Sequence, residues 1–222
     1  NLTSTFAQDG IGKNKGFDYS RGTNPTRERL EKNIASLEGG YDAIAFASGM
    51  AATTALFQSL KQGDHVIISR NVYGGTYRMT TQILSNHGLK FDFVDTTNIQ
   101  NIKEAIKPET KWVFIETPTN PMLEITDIKA VSQICQDHNI KFAVDNTFMS
   151  PYGQRPLEMG ADIVITGRCV DSAVTLAACM YKFGWDSEDF DVLSSGSLIG
   201  HLLECGTQVT GGNFTDWKSI KG

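Results

Sequence analysis

Short runs of apolar, mostly β-branched residues recur along the first three quarters of the chain, and they constrain the fold more than any other feature. Six runs predict strands, at residues 43–48, 65–69, 91–95, 112–116, 142–145 and 161–166. Several are apolar throughout, as strands buried on both faces of a parallel sheet are. Helix-like stretches separate them, so the sequence predicts an α/β fold with three layers, α/β/α, around a mainly parallel sheet.

Two of the stretches between the predicted strands have the periodicity of amphipathic helices. Residues 26–38 and 127–138 each place apolar residues three or four positions apart, which predicts one buried face per helix. These faces carry Leu30, Ile34 and Leu37 in the first stretch and Ile128, Val131 and Ile134 in the second. Asp127 is predicted to cap the second helix, and Ser48 to cap a further helix that begins near Gly49.

Charge and composition exclude several classes of function. The net charge of -5, with scattered lysines and arginines, excludes a basic stripe for nucleic acid. No apolar run is long enough to cross a bilayer, and the first residues resemble no signal or transit peptide, so we expect a cytoplasmic protein without membrane contact. The four cysteines are widely spaced, which favours buried thiols over a metal site. Because the chain begins at Asn1 rather than Met, we expect a fragment or a processed piece.

Small or acidic residues follow two of the predicted strands, at the sheet edge where α/β proteins bind ligands. Gly49 and Met50 open a helix, and backbone N–H groups there form either a phosphate cradle or a tight turn. Asp145 ends a buried strand, where a carboxylate is costly unless it is paired. Its partner is either the start of the next helix or a protonated pyridine nitrogen.

Three further positions suggest a pocket for a flat, phosphorylated ring. Tyr73 lies beside two glycines that would allow a planar ring to approach closely. Asn120 stands between two prolines that fix a rigid turn and aim its amide. Upstream, Arg21 is able to make paired hydrogen bonds to a phosphate.

The segments that carry these residues resemble a known family of enzymes. The segments are DYSRGTNPTRERLE, FASGMAA, VYGGTYR, ETPTNP and AVDNTF, in this order. They closely resemble the cystathionine γ-lyase/γ-synthase group of the Cys/Met metabolism family, whose cofactor is pyridoxal 5'-phosphate. The resemblance covers about residues 1–165 and implies the large domain of a fold-type I enzyme, followed by an α-rich tail at residues 166–222.

By this resemblance, eight residues would bind the cofactor. Gly49 and Met50 would bind the phosphate, Tyr73 would stack on the ring, Asn120 would face its hydroxyl, and Asp145 would hold the pyridinium nitrogen. The remaining residues are Thr147, expected near the ring, and Tyr19 and Arg21, expected to reach the phosphate of a neighbouring subunit. The last two imply a homodimer or homotetramer.

The family pattern breaks after the last predicted strand. Similar enzymes continue with His-Ser-x-Thr-Lys, in which the lysine forms the Schiff base and the hydroxyls hold the phosphate. Here Gly167 replaces the serine, Cys169 the threonine and Val170 the lysine, so no catalytic residue is predicted. A helix leading to Lys182, the next lysine, would place its amine roughly 18 Å away, which makes Lys182 a poor substitute.

The tail resembles a different family. Residues from about 160 to 222 resemble a piece of the acyclic terpene utilisation family, which implies an acyl-related role. His201 and Cys205 lie four positions apart on a predicted helix, where they form either a base and nucleophile or ordinary packing contacts.

The sequence therefore predicts a pyridoxal-phosphate carbon–sulfur lyase or transferase by lineage, acting on cystathionine-like amino acids. Among γ-lyase, γ-synthase and β-lyase, overall likeness favours the γ-lyase. Because the lysine is missing, we expect impaired activity. The alternatives are a non-catalytic module that binds the cofactor or pairs subunits, and an acyl- or terpene-degradation role of the tail.

Overall fold

The computed structural model describes residues 2–120, 122–168 and 172–210. The chain divides into two compact units, Asn1–Gly167 and Arg168–Gly222. Each unit has its own secondary structure and is described by itself below. No helix in the described ranges has both the length and the apolar character needed to cross a membrane.

The first unit alternates helices and strands along its length. Its strands are β1 (His65–Ser69), β2 (Lys90–Val94), β3 (Thr110–Glu116), β4 (Lys141–Asp145) and β5 (Ile163–Ile165). Its helices are α1 (Pro25–Glu38), α2 (Gly49–Phe57), α3 (Gly74–Gln82), α4 (Ile99–Ala105), α5 (Ile128–Asp137) and α6 (Ser150–Gly153), with a 3-10 turn at Leu84–His87. The predicted caps are confirmed, since Ser48 accepts from the Ala51 N–H and Asp127 from the Ala130 N–H.

The strands form one sheet in the order β2-β1-β3-β4-β5, and every neighbouring pair is parallel. Alternate strand residues point to opposite faces. Ile68 and Phe114 face a cluster with residues of α2 and α3, whereas Ile67 and Val113 face a cluster with residues of α4 and α5. This arrangement confirms the predicted three-layer α/β fold.

Two local predictions are wrong. Residues 43–48 form no strand, and the backbone N–H groups of Ala43 and Ala45 bond to the side chains of Asp42 and Glu31 rather than to a neighbouring strand. The predicted apolar face of α1 is also wrong, since Leu30 and Leu37 are 52% and 43% exposed. The buried residues of α1 are the small Ala35 and the acidic Glu38. On α5, by contrast, the predicted face is buried as expected.

The described part of the second unit is helical. Helix α7 (Ala173–Phe183) and helix α8 (Phe190–Cys205) are followed by a 3-10 turn at Gly206–Thr210. Gly200 of α8 lies against Ser172, where a Cβ atom would come within 2.8 Å of the Ser172 carbonyl oxygen. Gly196 gives similar room to the Trp185 ring, so two glycines allow α8 to pack closely within this unit.

Candidate functional site

The candidate site lies at the carboxyl ends of the parallel strands. The chain passes from β1 outward to β2, and then returns to β3 on the other side of β1. Sheets with this order bind ligands where the winding direction changes, here between β1 and β3. The segments that follow β1, β3 and β4 carry Tyr73, Asn120 and Asp145–Thr147, so the topology brings these predicted site residues to one edge.

Asp145 is the last residue of β4, and a local hydrogen-bond pattern fixes its carboxyl group. Its Oδ1 accepts from the Thr147 backbone N–H at 3.0 Å and from the Thr147 hydroxyl at 2.6 Å. Thr147 Oγ1 in turn accepts from the Gly167 N–H at 2.9 Å. Within the described ranges no hydrogen bond reaches Asp145 Oδ2, so one carboxylate oxygen is left for a ligand.

Glu116, the last residue of β3, organises the neighbouring loops, although no role was predicted for it from the sequence. Its Oε2 accepts from the Tyr73 backbone N–H at 2.6 Å, and its Oε1 accepts from the Asn120 N–H at 3.1 Å. The side chain is only 7% exposed. One signal in the sequence pointed to it, namely a carboxylate at the end of an apolar strand.

The two carboxyl groups are neighbours in the sheet. Glu116 is in register with Asp145 across the parallel pair β3–β4. Burial raises the pKa of Glu116 to about 7, the charge of Asp145 adds to this increase, and the Tyr73 and Asn120 N–H groups oppose it. Burial also raises the pKa of Asp145, against the two hydrogen bonds from Thr147. A positively charged ligand here would relieve both carboxylates.

The Tyr73 side chain lies over the start of α3 and is half exposed. A Cβ atom at Gly75 would come within 2.5 Å of the Tyr73 ring and 2.8 Å of Met50 Sδ, so only glycine fits there without movement. Met50 belongs to the first turn of α2, and this contact places the starts of α2 and α3 side by side. Gly49, the first residue of α2, has open space around its missing side chain.

Tyr19 and Arg21 lie in the segment before α1, where Tyr19 forms an isolated bridge with Thr5 and Arg21 lies in a turn. The Arg21 guanidinium carbon lies 4.8 Å from the centre of the Tyr19 ring. In the part of the chain that the structure describes, no hydrogen bond or ion pair joins either side chain to α2. Their predicted role across a subunit boundary stays a prediction.

The position of the missing lysine, Val170, lies outside the described residues, as does Cys169. Gly167 is described, and a Cβ atom there would come within 2.8 Å of Thr147 Oγ1. The Cβ atom of a serine at this position would therefore crowd Thr147 unless Thr147 moved. Lys182 lies in the last turn of α7, within the second unit.

Two family models match overlapping parts of the chain. Residues 1–169 match the family described as Cys/Met metabolism PLP-dependent enzyme, and residues 154–222 match the family described as acyclic terpene utilisation family protein AtuA. Both resemblances seen in the sequence are thus confirmed.

Individual relatives come from bacteria and animals. A putative cystathionine gamma-lyase 2 of Caenorhabditis elegans is 52% identical over 74% of this chain and 43% of its own length. A probable cystathionine gamma-synthase of Herpetosiphon aurantiacus is 48% identical over 73% of this chain and 51% of its own length. The chain therefore spans about half the length of the curated relatives it matches.

Solved structures agree with this assignment. The crystal structure of cystathionine gamma-lyase from Lactobacillus plantarum, complexed with L-serine, superposes with a TM-score of 0.72 at 38% identity, over 91% of this chain and 52% of that one. The crystal structure of metB from Corynebacterium glutamicum gives a TM-score of 0.70 at 37% identity, over 92% of this chain and 58% of that one. The chain belongs to the Cys/Met metabolism family of pyridoxal-phosphate-dependent enzymes.

Proposed function

We propose that this chain binds pyridoxal 5'-phosphate reversibly at the carboxyl edge of the sheet and has negligible lyase turnover. Its lineage is that of a carbon–sulfur lyase or transferase of transsulfuration. The observation that carries the proposal is the pair of neighbouring carboxylates, the buried Glu116 and the half-buried Asp145, with no hydrogen bond to Asp145 Oδ2 in the described ranges.

The residues present fit the ring and phosphate of this cofactor. Asp145 supplies a half-buried carboxylate for a pyridinium nitrogen, and Tyr73 supplies a half-exposed aromatic face. Asn120 would face the ring hydroxyl, with Thr147 beside the ring, and the N–H groups of Gly49 and Met50 would hold the phosphate. When bound, the cofactor supplies an electron sink for a substrate carbanion.

The chain lacks the amine that would hold the cofactor covalently and move protons. With Val170 in that position, no side chain of the family motif takes a proton from the substrate or returns one. Loss of such acid–base help costs about 10²–10⁴-fold in rate, and the loss of covalent attachment adds to it. Turnover is therefore expected to be negligible even where the cofactor binds.

Substrate, assembly and compartment follow from the lineage. We propose a cystathionine-like amino acid as the substrate class, with the γ-lyase reaction favoured among the family's activities. Tyr19 and Arg21 would complete the phosphate site of a neighbouring subunit in a homodimer or homotetramer. That role suits their exposed segment, which makes no hydrogen bond or ion pair to α2 within the described residues. We propose the cytoplasm as the compartment.

Binding is tested with 4'-deoxypyridoxine 5'-phosphate, which has the ring and phosphate but no aldehyde to react with surface lysines. Titration calorimetry on the purified chain should show saturable binding. Asp145→Asn should weaken it about 100-fold, because removing one partner of a buried ion pair costs about 3 kcal/mol or more.

The matched control is Asp162→Asn, which changes an acid at the opposite edge of the same sheet, where it pairs with Lys141. It should leave affinity within about twofold. Absence of saturable binding by the unsubstituted chain, or equal losses in both variants, would overturn the proposed site.

Turnover is tested separately from binding. Borohydride reduction in the presence of pyridoxal 5'-phosphate, followed by peptide mapping, should yield no stoichiometric lysine adduct, and cystathionine cleavage should stay at background. Val170→Lys should restore at most a small part of the activity, because the hydroxyls at positions 167 and 169 are also missing. Appreciable cleavage by the unsubstituted chain would contradict the proposal and point to Lys182 or another lysine.

A second candidate function rests on the match of residues 154–222 to the acyclic terpene utilisation family. In α8, Cys205 Sγ lies 3.5 Å from His201 Nε2. These residues are one helical turn apart, so ordinary helix geometry brings them together without a catalytic role. We therefore rank an acyl-related role of the tail, and a purely subunit-pairing role of the chain, below cofactor binding.

A further inference from the structure

We propose that Glu116 is a positioning residue of the cofactor site. Its carboxylate holds the backbone of Tyr73 with one oxygen and that of Asn120 with the other, so that both side chains face a ring held by Asp145. The inference rests on the proposed function and adds to it a residue that does not itself need to touch the cofactor.

The first argument is that the Glu116 carboxylate joins two loops that are far apart in the sequence. Tyr73 lies 43 residues before Glu116 in the sequence, and Asn120 lies four residues after it. The carboxylate therefore connects the loop after β1 with the loop after β3, the two loops that flank the change in winding direction. The Glu116 N–H also donates to Ser69 Oγ at 3.1 Å, which ties β3 to the last residue of β1.

The second argument is that this task requires two acceptors. An ionised carboxylate accepts at both oxygens, whereas a glutamine amide accepts at one and presents an N–H₂ group at the other. Opposite two backbone N–H donors, the amide would lose one hydrogen bond and place two donors against each other. A carboxylate therefore suits the two loops, and its isosteric amide does not.

The third argument concerns the cost of the charge. Glu116 is buried beside Asp145, and two neighbouring carboxylates repel each other when both are ionised. The cross-link with two acceptors therefore carries the cost of a second negative charge beside Asp145. The negative charge becomes favourable when a cationic ring binds at Asp145, which links the choice of residue to the ligand.

The charged environment of Glu116 is simple within the described residues. Asp145 on β4 is the charged group that faces it, β1 contributes the neutral Ser69, and the start of α3 contributes Tyr73. Protonation of Glu116 removes an acceptor. The chain with glutamate should therefore bind the cofactor more tightly than the glutamine variant above the pKa of about 7, and the difference should disappear below it.

The experiment measures binding of 4'-deoxypyridoxine 5'-phosphate to the full chain and to Glu116→Gln at pH 8 and pH 6. We expect about tenfold weaker binding by the variant at pH 8, the effect of about one lost hydrogen bond to a charged group. At pH 6 the two affinities should agree within about twofold. Glu116→Asp, which is too short to reach both loops, should bind more weakly at both pH values.

The matched control is Glu109→Gln, at the opposite edge of the sheet, where Glu109 pairs with Lys90. It should leave binding unchanged. Hydrogen exchange followed by NMR gives a readout that needs no cofactor, since the Tyr73 and Asn120 amides should exchange faster in both Glu116 variants. This readout and Glu116→Asp keep the inference testable even if Glu116→Gln folds poorly.

The outcomes separate the two proposals. If the unsubstituted chain binds the probe and Glu116→Gln binds equally well at pH 8, or is weaker by the same factor at both pH values, the positioning role is wrong and the proposed function stands. If the unsubstituted chain binds no probe, both are overturned. Unchanged exchange at Tyr73 and Asn120 also refutes the positioning role.

Discussion

The two edges of the sheet are built from the same five strands but differ in how completely their acids are paired with bases. At the amino edge, acids and bases are paired: Lys90 with Glu109, Lys141 with Asp162, and Lys107 with Asp92. At the carboxyl edge Arg70 pairs with Asp95 and Glu124, but the buried Glu116 and the half-buried Asp145 are neighbours in the register. Within the described residues, no basic side chain forms an ion pair with either of them.

The difference shows at which edge the charges are compensated within the protein. Opposite charges at the amino edge satisfy each other, as expected where the residues only support the fold. At the carboxyl edge, burial and then the charge of Asp145 raise the pKa of Glu116, and two like charges side by side are costly without a cation between them. Because the strands and their spacing are shared, this contrast cannot come from the backbone and points to a ligand at the carboxyl edge.

The largest expected effect comes from a substitution in the core of the sheet, which destabilises the strands that both edges share. Phe114 lies in the middle of β3, is fully buried, and contacts the Phe57 ring edge-on with centroids 5.4 Å apart. Phe114→Ala should lower the free energy of unfolding by about 3–5 kcal/mol, through lost burial and the cavity left behind. Urea unfolding followed by circular dichroism measures this, and a loss below about 1 kcal/mol would contradict the described packing.

A smaller effect is the pH dependence of the free energy of unfolding, which should differ between the two edges. The folded-state pKa of Glu116, about 7, lies above its ordinary value of 4.5, so its stabilising contribution is full below pH 4.5 and lost as the pH rises through 7. This corresponds to roughly 3 kcal/mol. We compare the unfolding free energy of the unsubstituted chain with that of Glu116→Gln. The difference in favour of the unsubstituted chain should therefore decrease from pH 5 to pH 8. A difference that is independent of pH would contradict the raised pKa.

The amino edge should respond to pH with the opposite sign. His65 is fully buried, with Nδ1 2.8 Å from Thr110 Oγ1 and Nε2 3.3 Å from Asp92 Oδ2. Burial and then Lys107 lower the pKa of His65 below 6.5, while Asp92 and Glu109 oppose this change. Its contribution is present above pH 6.5 and lost on acidification. Relative to His65→Gln, the unsubstituted chain should lose stability below pH 6.5, and the reverse slope would refute this.

The smallest expected effect concerns a surface pair at the amino edge. Lys90 and Glu109 lie 2.9 Å apart, with side chains 56% and 35% exposed. Lys90→Met should change the unfolding free energy by only about 0.2–1 kcal/mol, and less at high salt. Thermal unfolding at two salt concentrations measures it. A loss of several kcal/mol would mean that the amino edge depends on its ion pairs more than we propose.

The sequence predicted the sheet well because burial on both faces leaves a clear signal in β1, β3 and β4. It predicted a strand at residues 43–48 wrongly, since periodicity does not show that the Ala45 N–H is bound by Glu31 rather than by a strand. The buried face of α1 was missed because Ala35 and Glu38 are not the most apolar residues of that helix.

The candidate site was predicted only in part. Asp145, Tyr73 and Asn120 came from their places after strands and from the family resemblance, and the topology brings them to one edge. Glu116 was missed because its role depends on a contact across 43 residues with Tyr73. A single sequence does not reveal such a contact before the strand order is known.

The parallel register also has a consequence for the time the chain needs to fold. His65 pairs with Thr110 and with Lys90, and Ala143 pairs with Ile163, so each strand pair closes a long loop before it gains a hydrogen bond. Loop closure of this kind slows folding, whereas contacts between the adjacent helices α7 and α8 are local. On a growing polypeptide the sheet should therefore be the slow step, and the carboxyl edge should exist only after β4 has joined β3.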